Sequence, residues 1–185
     1  NIYHLHIKKS SQLKGLPSFS IIQAELTAKS KNLKGWVFTL DAPSYIPFIT
    51  YSESRNLRKE IAEAFGSRGF KKNKNNTISL IEEIIKLRHE RSKVLGFESH
   101  ANFILTQRMS LSEKNTNHFI NELYLKSFPF ARKEWNELKM FSKLELGINK
   151  LEKWDIAFVT EKLKKASIDF DDLELKKYFS LDYVI

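Results

Sequence analysis

The segment His89-Glu90-Arg91-Ser92-Lys93 carries half of a zinc-peptidase signature on a stretch with helical periodicity. In His-Glu-x-x-His, two imidazoles one helical turn apart hold the metal, and the Glu activates water. Here Lys93 takes the second position, and a protonated ammonium has no lone pair for a metal. The segment therefore reads as a polar helix face with charges at i,i+4 spacing. His4 and His6 alternate as on a strand with no third ligand beside them, and His100 and His118 stand alone. Asp169-Phe170-Asp171-Asp172-Leu173-Glu174 begins like a calcium loop. It lacks Gly at the sixth position and has Ser180 where the bidentate Glu belongs. Helix N-capping by Asp169 or Asp171 is the better account of these carboxylates. Lys71, Lys72 and Lys74 beside Phe70 could grip phosphates, although a solvated loop is the plainer reading. No Gly-Lys-Ser/Thr phosphate loop and no Gly-x-Ser-x-Gly elbow occurs. The residues thus assemble no complete catalytic, cofactor-binding or metal-ligating set.

Composition narrows the class. The 185 residues suffice for one domain with a core, and 42% hydrophobic with 12% aromatic residues is a globular balance. With no cysteine, neither a disulfide framework nor a thiolate metal site is possible, which fits a reducing compartment and a cytoplasmic protein. No apolar run is long enough to span a bilayer, so no membrane association is expected. The net charge of +9 permits nucleic acid or acidic partners. Abundant Lys and Asn can also arise from biased base composition alone, so nucleic acid is kept as the lesser alternative. Asn1 is not an initiator Met, and the end Tyr178-Phe179-Ser180-Leu181-Asp182-Tyr183-Val184-Ile185 would be sticky unless more chain covered it. A piece of a longer protein is expected.

The elements that must position these residues are mainly helical. Ser18 is expected to cap a helix over 18–32 with Phe19, Ile22 and Leu26 on one face. Residues 35–51 form a β-like island. Two runs rich in Val, Ile, Thr, Phe and Tyr flank Asp41, Pro43 and Ser44, which predicts a hairpin or strand pair whose second strand, carrying Pro47, lies at an edge. Further helices are predicted over 53–66, ended by Gly66, and over 77–95, with Ser79 and Glu82 as a capping box and Gly96 as C-cap. Others are expected near 99–108, 113–146, 154–166 and 171–178. In the long segment Phe119, Leu123, Phe130, Trp135, Leu138 and Phe141 can share a stripe, Pro129 predicts a kink or two abutting helices, and Gly147 stops it. The Lys71–Asn76 loop is the expected mobile segment. On these grounds alone the chain is a basic, mainly helical piece without its own active site.

Several segments, in order, resemble the thimet oligopeptidase family of zinc metallopeptidases. Leu13-Lys14-Gly15-Leu16-Pro17 resembles the family's Leu-x-Gly-Leu-Pro lead-in. Gly35-Trp36 through Tyr51 resembles its Gly-Trp-x-x-Thr-Leu-Asp-x-Pro-Ser-Tyr-x-Pro-x-x-Thr-Tyr stretch, followed by Arg55, Leu57 and Arg58. Ile81-Glu82-Glu83-Ile84, Leu87-Arg88-His89-Glu90 and Leu95-Gly96-Phe97 resemble the next helix and its end. Trp154-Asp155-Ile156-Ala157-Phe158 with Glu161-Lys162-Leu163 resembles a Trp-Asp-x-x-Tyr-Tyr-x-x-Lys segment, and Leu175 with Tyr178-Phe179 a Leu-x-x-Tyr-Phe. Phe158-Val159 replaces the Tyr pair, Ser180 stands where Pro is common, and the Lys71–Asn76 loop looks shortened, without a usual Trp-Asp.

The resemblance implies a helical fragment of a neurolysin-like metallopeptidase fold, with residues 1–185 as a single non-catalytic segment, part scaffold and part channel wall. The zinc helix, the downstream Glu ligand and the transition-state His and Tyr are expected beyond Ile185. In the whole enzyme, zinc polarises the scissile carbonyl and activates water, with Glu as general base. Short peptides are the implied substrates, cleaved by metalloendopeptidase or dipeptidyl carboxypeptidase action. The implied partner is the chain's own C-terminal catalytic half, and the segment alone is expected to be inactive. A basic helical nucleic-acid-binding or interaction module is the alternative.

Overall fold

The computed structural model of the chain describes residues 3–71 and 73–168. They divide into two compact units, one of residues up to Gly66 together with those from Glu137 onward, the other of Ser67–Asn136. The elements are β1 (His4–Ile7), a 3-10 turn (Ser10–Leu13), α1 (Ser18–Ser30), β2 (Trp36–Thr39), α2 (Ala42–Tyr51), α3 (Arg55–Gly66), α4 (Ile78–Val94), α5 (His100–Leu105), α6 (Glu113–Leu144) and α7 (Lys153–Ile168). The mainly helical class with one strand pair holds. The predicted helix over 171–178 lies outside the described residues, as do Asp169, Asp171 and Ser180.

The first unit is organised by β2. It pairs antiparallel with β1, Leu5 opposite Phe38 and Ile7 opposite Trp36. Leu5 and Ile7 point inward while His4 is exposed, the alternation expected of a strand with one buried face. Val37 and Phe38 are both buried, so β2 is covered on both sides. Gly35 leads into it with φ +100°, and a Cβ there would meet the Ile7 carbonyl oxygen, so the close strand approach requires glycine. Phe38 meets Phe48 of α2 at 4.6 Å between ring centroids, and Tyr45 stacks on Phe65 at 4.1 Å. Leu5, Leu13, Leu16, Leu40, Ile49 and Ile61 fill in around them.

This arrangement corrects the hairpin expected over 35–51. The strand's partner is residues 4–7, and Ala42–Tyr51 is a helix. β-Branched and aromatic composition hides a helical spacing: Tyr45, Phe48 and Ile49 stand at i, i+3 and i+4 and turn to one core. Asp41 is the N-cap and its carbonyl accepts from the Tyr45 N–H, while Pro43 lies in the first turn, where a missing N–H costs nothing. Ser44 Oγ accepts from the Thr39 N–H at 3.0 Å and ties the helix start to the strand end. Pro47 sits inside the helix, which ten residues and a buried face sustain.

α1 also packs differently from expectation. Ser20, Ala24 and Ala28 are buried, whereas Phe19, Ile22 and Leu26 are exposed. Small side chains one turn apart let the helix approach the strands closely, which the bulkier face could not do. Neither Ser18 nor Ser79 caps: α1 starts after Pro17, α4 starts at Ile78 after Thr77, and neither cap makes a side-chain hydrogen bond. Asn76 Oδ1 instead accepts from the Ile78 N–H at 2.9 Å. α3 ends at Gly66, as expected. Gly96, at φ +80°, ends α4 as expected, with its N–H on the Lys93 carbonyl and the Phe97 N–H on that of Ser92.

A smaller core lies around Leu138, Ile148, Phe158 and Val159, with Phe141, Leu146, Leu151 and Leu163 against it. α6 is one continuous helix through Pro129, not two. Of its expected stripe, Leu138 is buried and Phe141 half-buried, but Phe119, Leu123, Phe130 and Trp135 are exposed.

In the second unit α4 and α5 are joined by an aromatic hook. Phe97 and Phe103 lie 5.2 Å apart, and the Arg91 guanidinium sits 5.1 Å above Phe103. Ser99 caps α5 by accepting from the Asn102 N–H and donates to Glu113 at 3.0 Å.

Candidate functional site

The densest polar cluster among the described residues joins α3 and α7. Arg55 and Arg58 are one turn apart on α3, and Asp155 lies in the first turn of α7. Arg55 grips the carboxylate bidentately: Nε donates to Oδ1 at 3.0 Å and Nη2 to Oδ2 at 2.7 Å. Arg58 Nη2 donates to Oδ1 at 2.9 Å, and the Glu152 N–H donates to Oδ2 at 3.1 Å. The remaining donors of Arg58 go to carbonyls, Nη1 to Ser52 at 2.7 Å and Nε to Trp154 at 3.1 Å. Its guanidinium also covers the Phe158 ring at 3.9 Å. The helices bring together residues 100 positions apart in sequence.

Burial decides what this cluster can do. The side chains of Asp155 and Arg58 are 0% and 1% exposed, and that of Arg55 is 45% exposed. Burial pushes the Asp155 carboxyl up, but the hydrogen bonds from Arg55, Arg58 and the Glu152 N–H outweigh it and hold its pKa below the usual value. Burial pulls Arg58 down despite Asp155, and the bond to Asp155 raises Arg55. A carboxylate that accepts four hydrogen bonds and sees no water has nothing left for a metal or a nucleophilic water. The cluster is an ionic pin holding α3 to α7.

Beside the pin runs a groove of about 470 Å³ lined by Arg55, Ile148, Phe158 and Lys162 among others. Its positive rim is partly offset by Glu53, which pairs with Lys14 at 2.9 Å. Lys162 lies 5.4 Å from the Phe158 ring centroid. Phe158 and Val159 are both buried, so this pair serves packing.

The residues singled out from sequence are scattered. His89, Glu90 and Lys93 are exposed on α4, and Glu90 lies 3.9 Å from Lys86 at i,i+4, as expected for a charged helix face. His6 is on β1, its Nε2 2.7 Å from the Lys34 carbonyl oxygen, so that nitrogen donates and is closed to a metal. His4 is exposed on the same strand. His100 opens α5, and His118 on α6 lies 3.9 Å from Glu122. Lys71 and Lys74 flank turns closed by Asn73 and Asn76, and Lys72 lies outside the described residues. Among the described residues no three His, Cys, Asp or Glu gather as a metal set. Sequence reasoning missed the pin as a unit. Its only trace was that Arg55, Arg58 and Trp154-Asp155 each fell in a segment quoted for the family resemblance.

Comparison with known proteins accounts for that coincidence. The chain is 36% identical over 183 residues to "Oligopeptidase A" of Haemophilus influenzae and 33% identical over 177 residues to that of Escherichia coli. These matches cover 97% and 94% of this chain but only 27% and 26% of the relatives. "Dipeptidyl carboxypeptidase" of Escherichia coli is 24% identical over 182 residues, covering 98% of this chain and 27% of its own. The chain therefore spans about a quarter of the length of the curated relatives it matches. Residues 48–185, which include every member of the ionic pin, match the model of Peptidase family M3, and the chain belongs to that family.

Proposed function

We propose that the chain is a non-catalytic segment, scaffold and channel wall, of a zinc-dependent cytoplasmic oligopeptidase that hydrolyses short peptides. The choice between endopeptidase and dipeptidyl carboxypeptidase action would rest with the remainder of the polypeptide. The observation that carries this reading is the match to oligopeptidase A over 97% of the chain at 36% identity. Zinc would supply a polarised carbonyl and activated water, and its ligands would come from outside the described residues. The chain's own part is mechanical. The pin fixes α3 against α7, and the β2–α2 junction at Thr39 and Ser44 fixes the strand that α2 packs on. Rigid walls of this kind keep a peptide aligned with chemistry placed elsewhere.

The test is to purify the 185-residue chain and measure bound zinc by elemental analysis and cleavage of a quenched fluorescent peptide. The full-length Haemophilus relative serves as the positive control. Neither bound zinc nor cleavage is expected from the chain. One tight zinc per chain together with peptide hydrolysis would overturn the assignment of the chemistry to the remainder.

A further inference from the structure

Positive charge is concentrated at the start of the chain. Residues 1–40 hold six lysines, no arginine and one acid, Glu25, and so carry +5 of the chain's +9. Two of these lysines are neutralised: Lys14 lies 2.9 Å from Glu53 and Lys29 2.7 Å from Glu25. The other four, Lys8, Lys9, Lys31 and Lys34, are exposed, and among the described residues no carboxylate pairs with them. They gather at one place in the first unit. Lys8 and Lys9 follow β1, Lys31 follows α1, and Lys34 leads into β2. The pairing of Ile7 with Trp36 brings Lys8 alongside Gly35. Between these turns lies a cavity of about 400 Å³ lined by His6, Lys8, Asn32, Leu33, Lys34 and Gly35, with no acid among them. Its frame is fixed. His6 Nε2 donates to the Lys34 carbonyl at 2.7 Å, and the Asn32 and Leu33 N–H groups donate to the carbonyls of Lys29 and Ala28. The backbone that carries the lysines is thus held before any ligand arrives, which lowers the cost of binding.

We propose that this cavity binds a compact polyphosphate anion, inorganic or carried by a nucleotide, with Lys8 and Lys34 as its ligands and Lys9 and Lys31 beside it. A concave surface of one charge sign focuses the field and draws counter-ions into it. The residue types favour phosphate. No arginine is present to grip a planar carboxylate bidentately, whereas ammonium groups act as point charges suited to an anion with many oxygens. The volume lies in the range of small-ligand sites. Two larger polyanions fit less well. No Phe, Tyr or Trp lines the cavity for a nucleic-acid base to stack on. An anionic bilayer would find no apolar anchor, because the apolar side chain in the lining, Leu33, is half-buried. The site is independent of the peptidase reading: it uses no residue of the ionic pin, and it precedes residues 48–185, which match the M3 model.

The experiment is isothermal titration calorimetry of the 185-residue chain with sodium triphosphate, with ATP and inorganic monophosphate alongside, at low salt and without divalent cations. A 1:1 complex with triphosphate is expected, about tenfold or more tighter than that with monophosphate, and weakened by a similar factor as NaCl rises from about 0.02 M to about 0.5 M. Lys8→Gln with Lys34→Gln should weaken it about tenfold or more while leaving the circular dichroism unchanged. Lys114→Gln with Lys126→Gln, which removes the same charge from α6, should leave it nearly unchanged. ATP binding more tightly than triphosphate would support the site and assign its ligand to a nucleotide; equal affinity would support it with inorganic polyphosphate as the ligand. The proposal is overturned if triphosphate does not bind at low salt, if several anions bind per chain, or if the two lysine pairs weaken binding equally. It is equally overturned if ATP binds where triphosphate does not, or if single-stranded DNA or phosphatidylglycerol vesicles bind more tightly than triphosphate through Lys8 and Lys34.

Discussion

Replacing Asp155 with Asn tests the ionic pin most directly. The substitution keeps the shape of the side chain and removes its charge. Asp155 accepts from Arg55, Arg58 and the Glu152 N–H, whereas an asparagine has one carbonyl oxygen and turns an NH2 toward guanidinium donors. Arg55 is half-exposed and can turn to water. Arg58, 1% exposed, cannot, and its charge is left uncompensated. Breaking a buried pair on one side costs about 3–5 kcal/mol. For a chain of this size that lowers the melting temperature by roughly 6–20 °C. Arg55→Ala leaves Arg58 paired and should cost only about 1–2 kcal/mol. The combination Arg58→Met with Asp155→Leu should recover part of the loss but not all. The Ser52 and Trp154 carbonyls would then lose their donors, at about 1–3 kcal/mol for each one left unsatisfied. Urea unfolding of the full chain at pH 7, followed by circular dichroism and tryptophan fluorescence, gives the stability of the parent and of each variant. If Asp155→Asn lies within about 0.5 kcal/mol of the parent, or matches Arg55→Ala, then Arg58 is not held in a desolvated site and the reasoning fails.

Two pH dependences follow from the same kind of argument. The folded pKa of Asp155 lies below its unfolded value, so the stability it contributes is complete above about pH 4 and is lost as pH falls below that. The gap between the parent and Asp155→Asn should thus be constant from neutrality to about pH 5 and close in stronger acid, as read by urea midpoints; a gap that closes above pH 5 would contradict a lowered pKa. Tyr3 behaves in the opposite sense: burial, with Glu60 at 3.2 Å from its hydroxyl, pushes its pKa from 10.0 up to about 12. Its contribution is complete below pH 10 and is lost as pH rises toward 12, so tyrosinate absorbance should show one late-titrating group that Tyr3→Phe removes.

Sequence alone determined the helical class, most helix positions, and the family, because helical periodicity and colinear motifs are local properties of the chain. Gly96 and Gly147 marked helix ends since only a left-handed backbone fits there. It also showed that Lys93 empties the zinc motif, because a missing lone pair needs no structure to be recognised. Tertiary structure decided three things. Residues 42–51 became a helix because Tyr45, Phe48 and Ile49 find one core at i, i+3 and i+4, which outweighs their strand-like composition. The strand Trp36–Thr39 found its partner some thirty residues upstream, a pairing that no local pattern encodes. Last, Arg55, Arg58 and Asp155 became one buried ionic unit only when α3 met α7. A charged residue in sequence carries no sign of whether water or an opposite charge will compensate it.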